Sequence, residues 1–541
     1  MKKLISYIML AAASALFFAC SPKSTPAITI EDAANAAPEN TDIFLALEIS
    51  KKLINEDLAQ KGAKEFTTAF IENPEMQKFL DLAFQPLPEG LKSKISAKAV
   101  ADFANEAMQK PEDIFFAMAA TDLKEGCCDI KFIALNNSLC VKKIREILEQ
   151  EKDIEKLRKG DIDFFKIKGE TPAAVAVQNA LLVVADDEAA AVKVIESLKS
   201  KKNGAFAATE KFRKLMSLEK DPIIVAAVNF KNISENSVGN MFFAYSAENA
   251  NKGSGAAKFE LGEKAFAGGN DAKIWGAFCK SKLEKASLLK NSMGNATFAM
   301  AAAVPEITAE IESEVLGDMI GGDPESQKII ASLKSAGLKS LCLSAGELDA
   351  NTVINMMGEN MQAPEVFLKI EAADADAIFK NEEIAQLINS PLFAAEKLGG
   401  DTVYKSAMYN LKIAQTGKTA AAISTIKDIN QMMSLAKGKG KTLAGNKDAK
   451  SLVSALPEGN SYEIFMDIKA LSDLSQAIKA NVLGNEDQNF ADKIDNISSK
   501  ICKKAFLAMG VKLEPKEISI SFKIDGEYDY ELGVKLLKEM K

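Results

Sequence analysis

Histidine is absent from the whole sequence. Its absence removes the usual general base, the usual third member of a hydrolytic triad and the commonest metal ligand. Tryptophan occurs once, at Trp275. A lone aromatic is expected on a strand, as a core residue rather than a binding platform. No C-x-x-C pair occurs, so a zinc site lacks its usual spacing. A second long apolar run is also missing, and the body is expected to be soluble. Clustered positive charge is lacking as well: the net charge is −8 and the two signs are well mixed. That balance argues against nucleic acid as a partner, because nucleic acid rewards grouped Lys and Arg.

What is present begins at the N-terminus. Lys2 and Lys3 form a basic start, and an apolar stretch runs from Leu4 to Ala19, broken by Ser6, Tyr7 and Ser14. This is the layout of a secretory signal, and it falls short of the roughly 20 apolar residues of a permanent span. It ends in Leu16-Phe17-Phe18-Ala19-Cys20. A small residue before a cysteine at this place resembles a bacterial lipobox, although Phe17 stands where the box usually carries Leu. The resemblance implies acylation of the Cys20 thiol and lipidation of its new amino terminus. The bland alternative is an ordinary signal peptide with an accidental cysteine. The following Ser21-Pro22-Lys23-Ser24-Thr25-Pro26 favours the anchor, being a polar, proline-containing tether. Several acyl chains hold a protein stably, at about 0.8 kcal/mol per buried methylene. Ser21 resembles the residue that directs such lipoproteins to an outer membrane, in a host that has one. The expectation is a signal peptide over 1–19, a lipidated cysteine and flexible tether over 20–37, export, and attachment to a membrane through Cys20.

The remaining chain is long enough for more than one domain, and its apolar fraction of 47% suits a globular core. After Cys20 come Cys127, Cys128, Cys140, Cys279, Cys342 and Cys502. An exported compartment permits disulfides, but an adjacent pair and distant singles form no framework, and the pairing stays open. Buried thiols acting as small apolar residues are slightly favoured.

Self-comparison gives the clearest internal signal. Phe116-Ala117-Met118-Ala119-Ala120 recurs as Phe298-Ala299-Met300-Ala301-Ala302, and Ala36-Ala37-Pro38-Glu39 resembles Ala455-Leu456-Pro457-Glu458. A longer correspondence links Gly160-Asp161 and Phe165-Lys166 with Gly400-Asp401 and Tyr404-Lys405. Hairpins follow in both, turning at Asn179-Ala180 and Thr416-Gly417, with Gln178 and Gln415 in the same place. A helix then ends at Ser197-Leu198 and at Ser434-Leu435. The order of elements points to a duplication, with halves 38–293 and 294–541.

Both structural periods occur. Ile518, Ile520, Phe522 and Ile524 alternate as a half-buried strand, and Ile144, Ile147, Leu148, Ile154 and Leu157 recur at helical spacing. Gly268-Gly269-Asn270-Asp271 is expected to turn between strands. The fold class is therefore α+β: two similar halves, each a mostly antiparallel sheet with packed helices. The run from Pro457 to Ile468, followed elsewhere by an apolar hairpin, short helix and loop, resembles an uncharacterised family of bacterial envelope lipoproteins. That family carries no known catalytic residues, so the resemblance transfers no site.

Candidate chemistry is sparse. Asp186, Asp187 and Glu188 are expected to cap a helix, with Ser424 and Thr425 near the equivalent place. Asp525, Glu527, Asp529 and Glu531 alternate, but Tyr530 and Leu536 occupy the glycine and final carboxylate places of a calcium loop. Lys437-Gly438-Lys439-Gly440-Lys441-Thr442 ends like a phosphate loop, yet Leu435 stands at its first glycine. Ser287/Lys290 and Ser434/Lys437 have the serine–lysine spacing without its companion motifs. The expectation is a lipid-anchored envelope protein with a binding or structural role, not an enzyme, with no cofactor or metal and with an envelope protein as a possible partner. The alternative is a carrier of a lipid or other apolar ligand. A histidine-free hydrolase is the third class.

Overall fold

The computed structural model describes residues 28–539, apart from most of 75–110 and from 125–126, 151–153, 168–173, 201–204, 232–237, 250, 263–264, 267, 284–288, 317–323, 347, 349–363, 408–409 and 483–489. Cys20 and the expected signal lie outside the described residues. The last part of the expected tether is a helix, Ile30–Ala36. Thr29 and Asp32 close it with a capping box, each side chain satisfying the other's backbone amide. Ile30, Ala33 and Ala34 bury its inner face, so burial of apolar surface orders a stretch that its polar surroundings disguise.

The chain forms two compact units. One comprises residues up to Glu260 together with 488–501 and 528–541; the other comprises 261–487 and 502–527. Compactness thus divides the chain at 260/261, whereas the expected halves meet at 293/294, and two late segments return to the first unit.

The first unit is built on β1 (Ile43–Ile49), β2 (Ile114–Lys124), β3 (Cys127–Asn136), β4 (Ile154–Lys159), β5 (Ile162–Ile167), β6 (Ala174–Gln178), β7 (Leu181–Ala185), β8 (Ile224–Asn229), β9 (Val238–Asn249) and β10 (Lys252–Leu261). Their order across the sheet is β10-β9-β8-β1-β2-β3-β7-β6-β5-β4. The neighbours from β4 to β9 all pair antiparallel. Every residue of β6 and β7 is buried, which requires cover on both faces. On one face Phe115, Ala117 and Ala119 of β2 meet the helices 30–36, 188–200 and 210–216. On the other, Phe116, Ile133, Val175 and Leu182 meet Cys140, Val141 and Leu148 of the helix Ser138–Gln150. The helical spacing through Ile154 and Leu157 overruns this helix: both residues lie on β4, where a spacing of three follows a helix that ends at Gln150.

The second unit contains β11 (Ala296–Ala303), β12 (Leu338–Gly346), β13 (Glu365–Ala372), β14 (Phe393–Leu398), β15 (Asp401–Ser406), β16 (Lys412–Thr416), β17 (Ala420–Ser424), β18 (Tyr462–Asp467), β19 (Cys502–Glu514) and β20 (Glu517–Tyr528). Their order is β20-β19-β18-β11-β12-β13-β17-β16-β15-β14. The main core gathers Phe367, Phe465, Met432, Leu435, Leu452 and Val453. Two local expectations fail here. Gly268 is the N-cap of a helix, Gly269–Lys280, not a turn between strands, and Trp275 lies on that helix. Ile518, Ile520, Phe522 and Ile524 lie on β20 as expected, and its residues are half-buried along most of its length. The fold class is α+β on antiparallel sheets.

Candidate functional site

An open groove of about 860 Å³ lies in the first unit. It lies between the helices Ala63–Glu72 and Tyr530–Glu539. Local chemistry explains why these helices meet. Gly62 precedes the first helix at φ +80, and a Cβ there would stand 2.9 Å from Glu531. Lys61 pairs with the same carboxylate at 2.9 Å, and that partner holds its ammonium pKa above the usual value. Gly533 lets the Phe66 ring lie against the second helix; an added Cβ would fall 2.4 Å from the ring. Phe66 also approaches Phe70 at 6.1 Å and Tyr530 at 5.6 Å between centroids. Ile497 and Ile501 of a third helix, Phe490–Ile501, complete this cluster with Leu537. Burial raises the Tyr530 phenol pKa, and its hydroxyl lies 3.4 Å from Asn251 Oδ1.

The groove is lined by the apolar Ala69, Val534 and Leu537 and by the charged Lys64, Glu65, Glu72 and Lys538. Asn105 accepts from the Thr68 hydroxyl at 3.1 Å and donates to Glu72 at 2.9 Å. Asn73 donates to the Leu537 carbonyl at 3.3 Å, fixing the end of one helix to the other. Among the described residues, Lys64 and Lys538 have no ion-pair partner. None of these residues stood out as a site in the sequence. The available signal was helical: Phe66 and Phe70 are four apart, and Tyr530, Gly533 and Leu537 share a face.

The sequence candidates are structural. Asp187 caps the helix Glu188–Ser200: its carboxylate accepts from the Ala190 amide at 2.7 Å. Glu188 receives Lys159 and Lys166, which hold its pKa below the ordinary carboxylate value. Burial moves Asp186 the other way, against the pull of Lys131. In the second unit the cap is Asp428, which accepts from Asn430 at 2.8 Å. Ser424 and Thr425 instead bond to β13 and its approach, through the Val366 and Pro364 carbonyls.

The phosphate-loop look-alike is a helix terminus. Gly438 has φ +69, its amide bonds to the Leu435 carbonyl at 2.8 Å, and the Lys439 amide bonds to Ser434 at 2.8 Å. These two bonds form a Schellman motif, which satisfies carbonyls left over at the end of the helix Ile429–Ala436. Lys437 pairs with Asp401 at 2.6 Å, so the lysine of the Ser434/Lys437 pair is already engaged by a carboxylate. Ser287 lies outside the described residues. Asp525 and Glu527 end β20, while Asp529 accepts from the Leu532 amide at 3.0 Å and starts the last helix. Among the described residues no cluster of three metal-ligating groups occurs.

Cys140, Cys279, Cys342 and Cys502 are buried and Cys128 is exposed. Burial pushes the Cys342 thiol up to about 11, despite the Ser292 hydroxyl at 3.1 Å. Trp275 stacks on Phe266 at 4.5 Å, and its indole N–H donates to the Pro515 carbonyl at 3.3 Å. Among the described residues no helix is long and apolar enough to cross a membrane.

The fold thus defines an α+β protein of two sheet-based units, one of which carries an inter-helical groove. No family model matches the chain, and no curated protein matches it. Among solved structures it is similar to crystal form IV of TP0453, with 12% identity over 48% of this chain and 99% of that one, at a TM-score of 0.25.

Proposed function

We propose that the protein is a non-enzymatic lipoprotein of the cell envelope, held to a membrane by lipid on Cys20 and presenting a folded body that binds. The observation that carries this reading is Cys20 itself, placed after Lys2, Lys3 and the apolar run 4–19 and before a polar tether. Ile28, eight residues after that cysteine, is already buried. Replacing Cys20 with Ser is expected to move the protein from the membrane fraction to the soluble envelope fraction on cell fractionation. Continued membrane attachment of the Cys20→Ser protein would remove the reading.

The body is further proposed to be an internal duplication. The support is topological: the ten strands of each unit follow the same order, with β1 to β10 standing where β11 to β20 stand. Residues agree where the longer sequence correspondence falls. Asp161 accepts from Gln178, which in turn accepts from Lys199 near the end of the helix 188–200. Asp401 receives Lys437 just past the end of the helix 429–436, and its carboxylate accepts from the Gly417 amide at 3.3 Å. Asn179 and Gly417 both have positive φ in the matching turns. The word Phe116–Ala120 and its likeness at Phe298–Ala302 lend no support, because β2 and β11 hold different places in the order.

A second reading, a carrier of an apolar ligand, is favoured by one observation: the groove over Ala69, Val534 and Leu537 has the volume of a small-molecule site.

A further inference from the structure

The strand orders of the two units end alike, on β4 and on β14, and among the described residues each of these strands pairs with one neighbour only. Such an edge leaves amides and carbonyls free to template another strand, and charged side chains are its usual guard. β4 is guarded along its length. Glu155, Lys156, Arg158 and Lys159 are exposed on it, and Lys156 and Lys159 reach Glu149 and Glu188. β14 is open: Ala394, Ala395, Glu396 and Lys397 are all exposed, charge is confined to its second half, and Glu396 is drawn back to Lys405 of β15. Its approach is apolar, with Leu387 47% and Leu392 46% exposed. The turn after β14 determines which backbone groups are free. Gly399 and Gly400 both have positive φ, as a two-residue primed turn requires, so Leu398 and Asp401 close it as a hydrogen-bonded pair. Glu396 and Ala394 then bond inward to β15, and the Ala407 amide keeps the same phase by donating to the Leu392 carbonyl. Ala395 and Lys397 therefore direct their amides and carbonyls outward, beside the Phe393 carbonyl, while the Phe393 amide donates to Ser390. An antiparallel copy of β14 meets these groups only where outward residues stand opposite each other. Centring the pair on Ala395 sets Ala395 against itself, Phe393 against Lys397, Ala394 against Glu396 and Leu392 against Leu398. Centring it on Glu396 or Lys397 sets like charges directly opposite, which destabilises a sheet. Centring it on Ala394 or Phe393 brings Pro391, which lacks a donor, against Lys397 or Ala395. One register is left, and it covers Leu392 with a leucine.

We propose that β14 is a self-association edge, on which a second copy of this chain adds its own β14 antiparallel about a two-fold axis at Ala395. A strand this short buries less than the roughly 800 Å² per partner of a standard interface, so the dimer is expected to be weak, with a Kd on the order of 100 µM. The full chain carrying Cys20→Ser, purified without detergent, is followed by sedimentation velocity over roughly a hundredfold range of concentration around that value. Its mass is expected to double and to stop there, because a two-fold contact closes on itself. Ala395→Pro removes an outward amide that the ladder to β15 does not use. It is expected to raise Kd by at least about tenfold at an unchanged melting temperature. Ala395→Cys is expected to form a disulfide-linked dimer under a mild oxidant, since hydrogen-bonded partners stand about 5.5 Å apart at their α-carbons, within reach of the bond. Glu396→Cys, out of register with itself by two residues, is expected to give none, its α-carbons being more than about 7 Å apart. The parent protein, with its exposed Cys128, controls for the native thiols. A single mass at every concentration would overturn the proposal. So would a dimer indifferent to Ala395→Pro, equal crosslinking through Ala395→Cys and Glu396→Cys, or growth beyond the dimer. Crosslinking of Ala395→Cys in intact cells to another protein, and not to itself, would give the edge to a foreign strand and overturn it as well.

Discussion

Single residues show how much of this chain's charge is already spent on its own structure. Glu310 is the strongest case. Lys273 Nζ lies 2.7 Å from its carboxylate, and its own amide and the Thr308 hydroxyl add to the effect, holding the carboxyl down to about 2 from an ordinary 4.5. A depressed carboxylate pKa stabilises the folded state fully above the ordinary value, and the contribution is lost as pH falls through the folded value. The window is therefore about 4.5 down to about 2, with no effect near neutrality. A side-chain carboxyl titration followed by NMR is expected to place the Glu310 midpoint near 2. In Lys273→Met the midpoint rises but stays below 4.5, since Thr308 and the backbone remain. High salt moves the intact protein in the same direction, because the lysine is solvent-exposed and screened. A midpoint indifferent to Lys273 would assign the shift to the backbone.

At the scale of elements, the ends of helices decide more than their middles. The helix 429–436 stops because Gly438 takes a left-handed conformation and hands two amides back to the last carbonyls. A side chain there would find room, with its nearest neighbour, Asn291, at 3.6 Å. Backbone strain alone should set the cost. Gly438→Ala is expected to lower the unfolding free energy by about 1–2 kcal/mol, and Gly438→Asn by less, since asparagine visits this conformation more readily. Chemical denaturation of the two variants checks the ranking; equal losses would mean that the Asn291 contact matters more than the backbone. The same element explains why Lys437–Thr442 looked like chemistry in the sequence. Glycine and lysine serve a helix terminus as well as a phosphate loop, and only the missing glycine at Leu435 separated the two. The paired hairpins of 160–185 and 400–424 were legible because each is local. Gly268-Gly269 misled because two glycines can free a helix start as readily as a hairpin turn. The groove was invisible for another reason: its two walls, the helices 63–72 and 530–539, are more than 450 residues apart, and no local period announces such a meeting.

At the scale of the whole molecule, that separation has a consequence for stability. The first unit draws its groove wall and part of its core from the end of the described chain. Leu537 is 3% exposed, and Ile497 and Ile501 are nearly as buried, against Phe66, Ala69 and Phe70. Complete burial of one leucine is worth about 1.5–3 kcal/mol, and the aromatic contacts of Phe66 add to it. Yet the two main cores of this unit, around Phe44, Phe115 and Phe132 on one face and Ile133 and Leu182 on the other, contain no residue beyond 244. The cluster of three helices thus buries its residues apart from these two cores. Deleting residues 530–541 is expected to expose the amides of the helix 63–72 to hydrogen exchange, by as much as a hundredfold for a loss of about 3 kcal/mol, while β1, β2 and β3 keep their protection. Exchange mass spectrometry on the full and shortened chains separates the outcomes. If the strands lose protection together with the helix, the layer and the sheet fold as one cooperative body. If the helix alone loses it, the three-helix cluster opens without the sheet, as a unit of lower local stability.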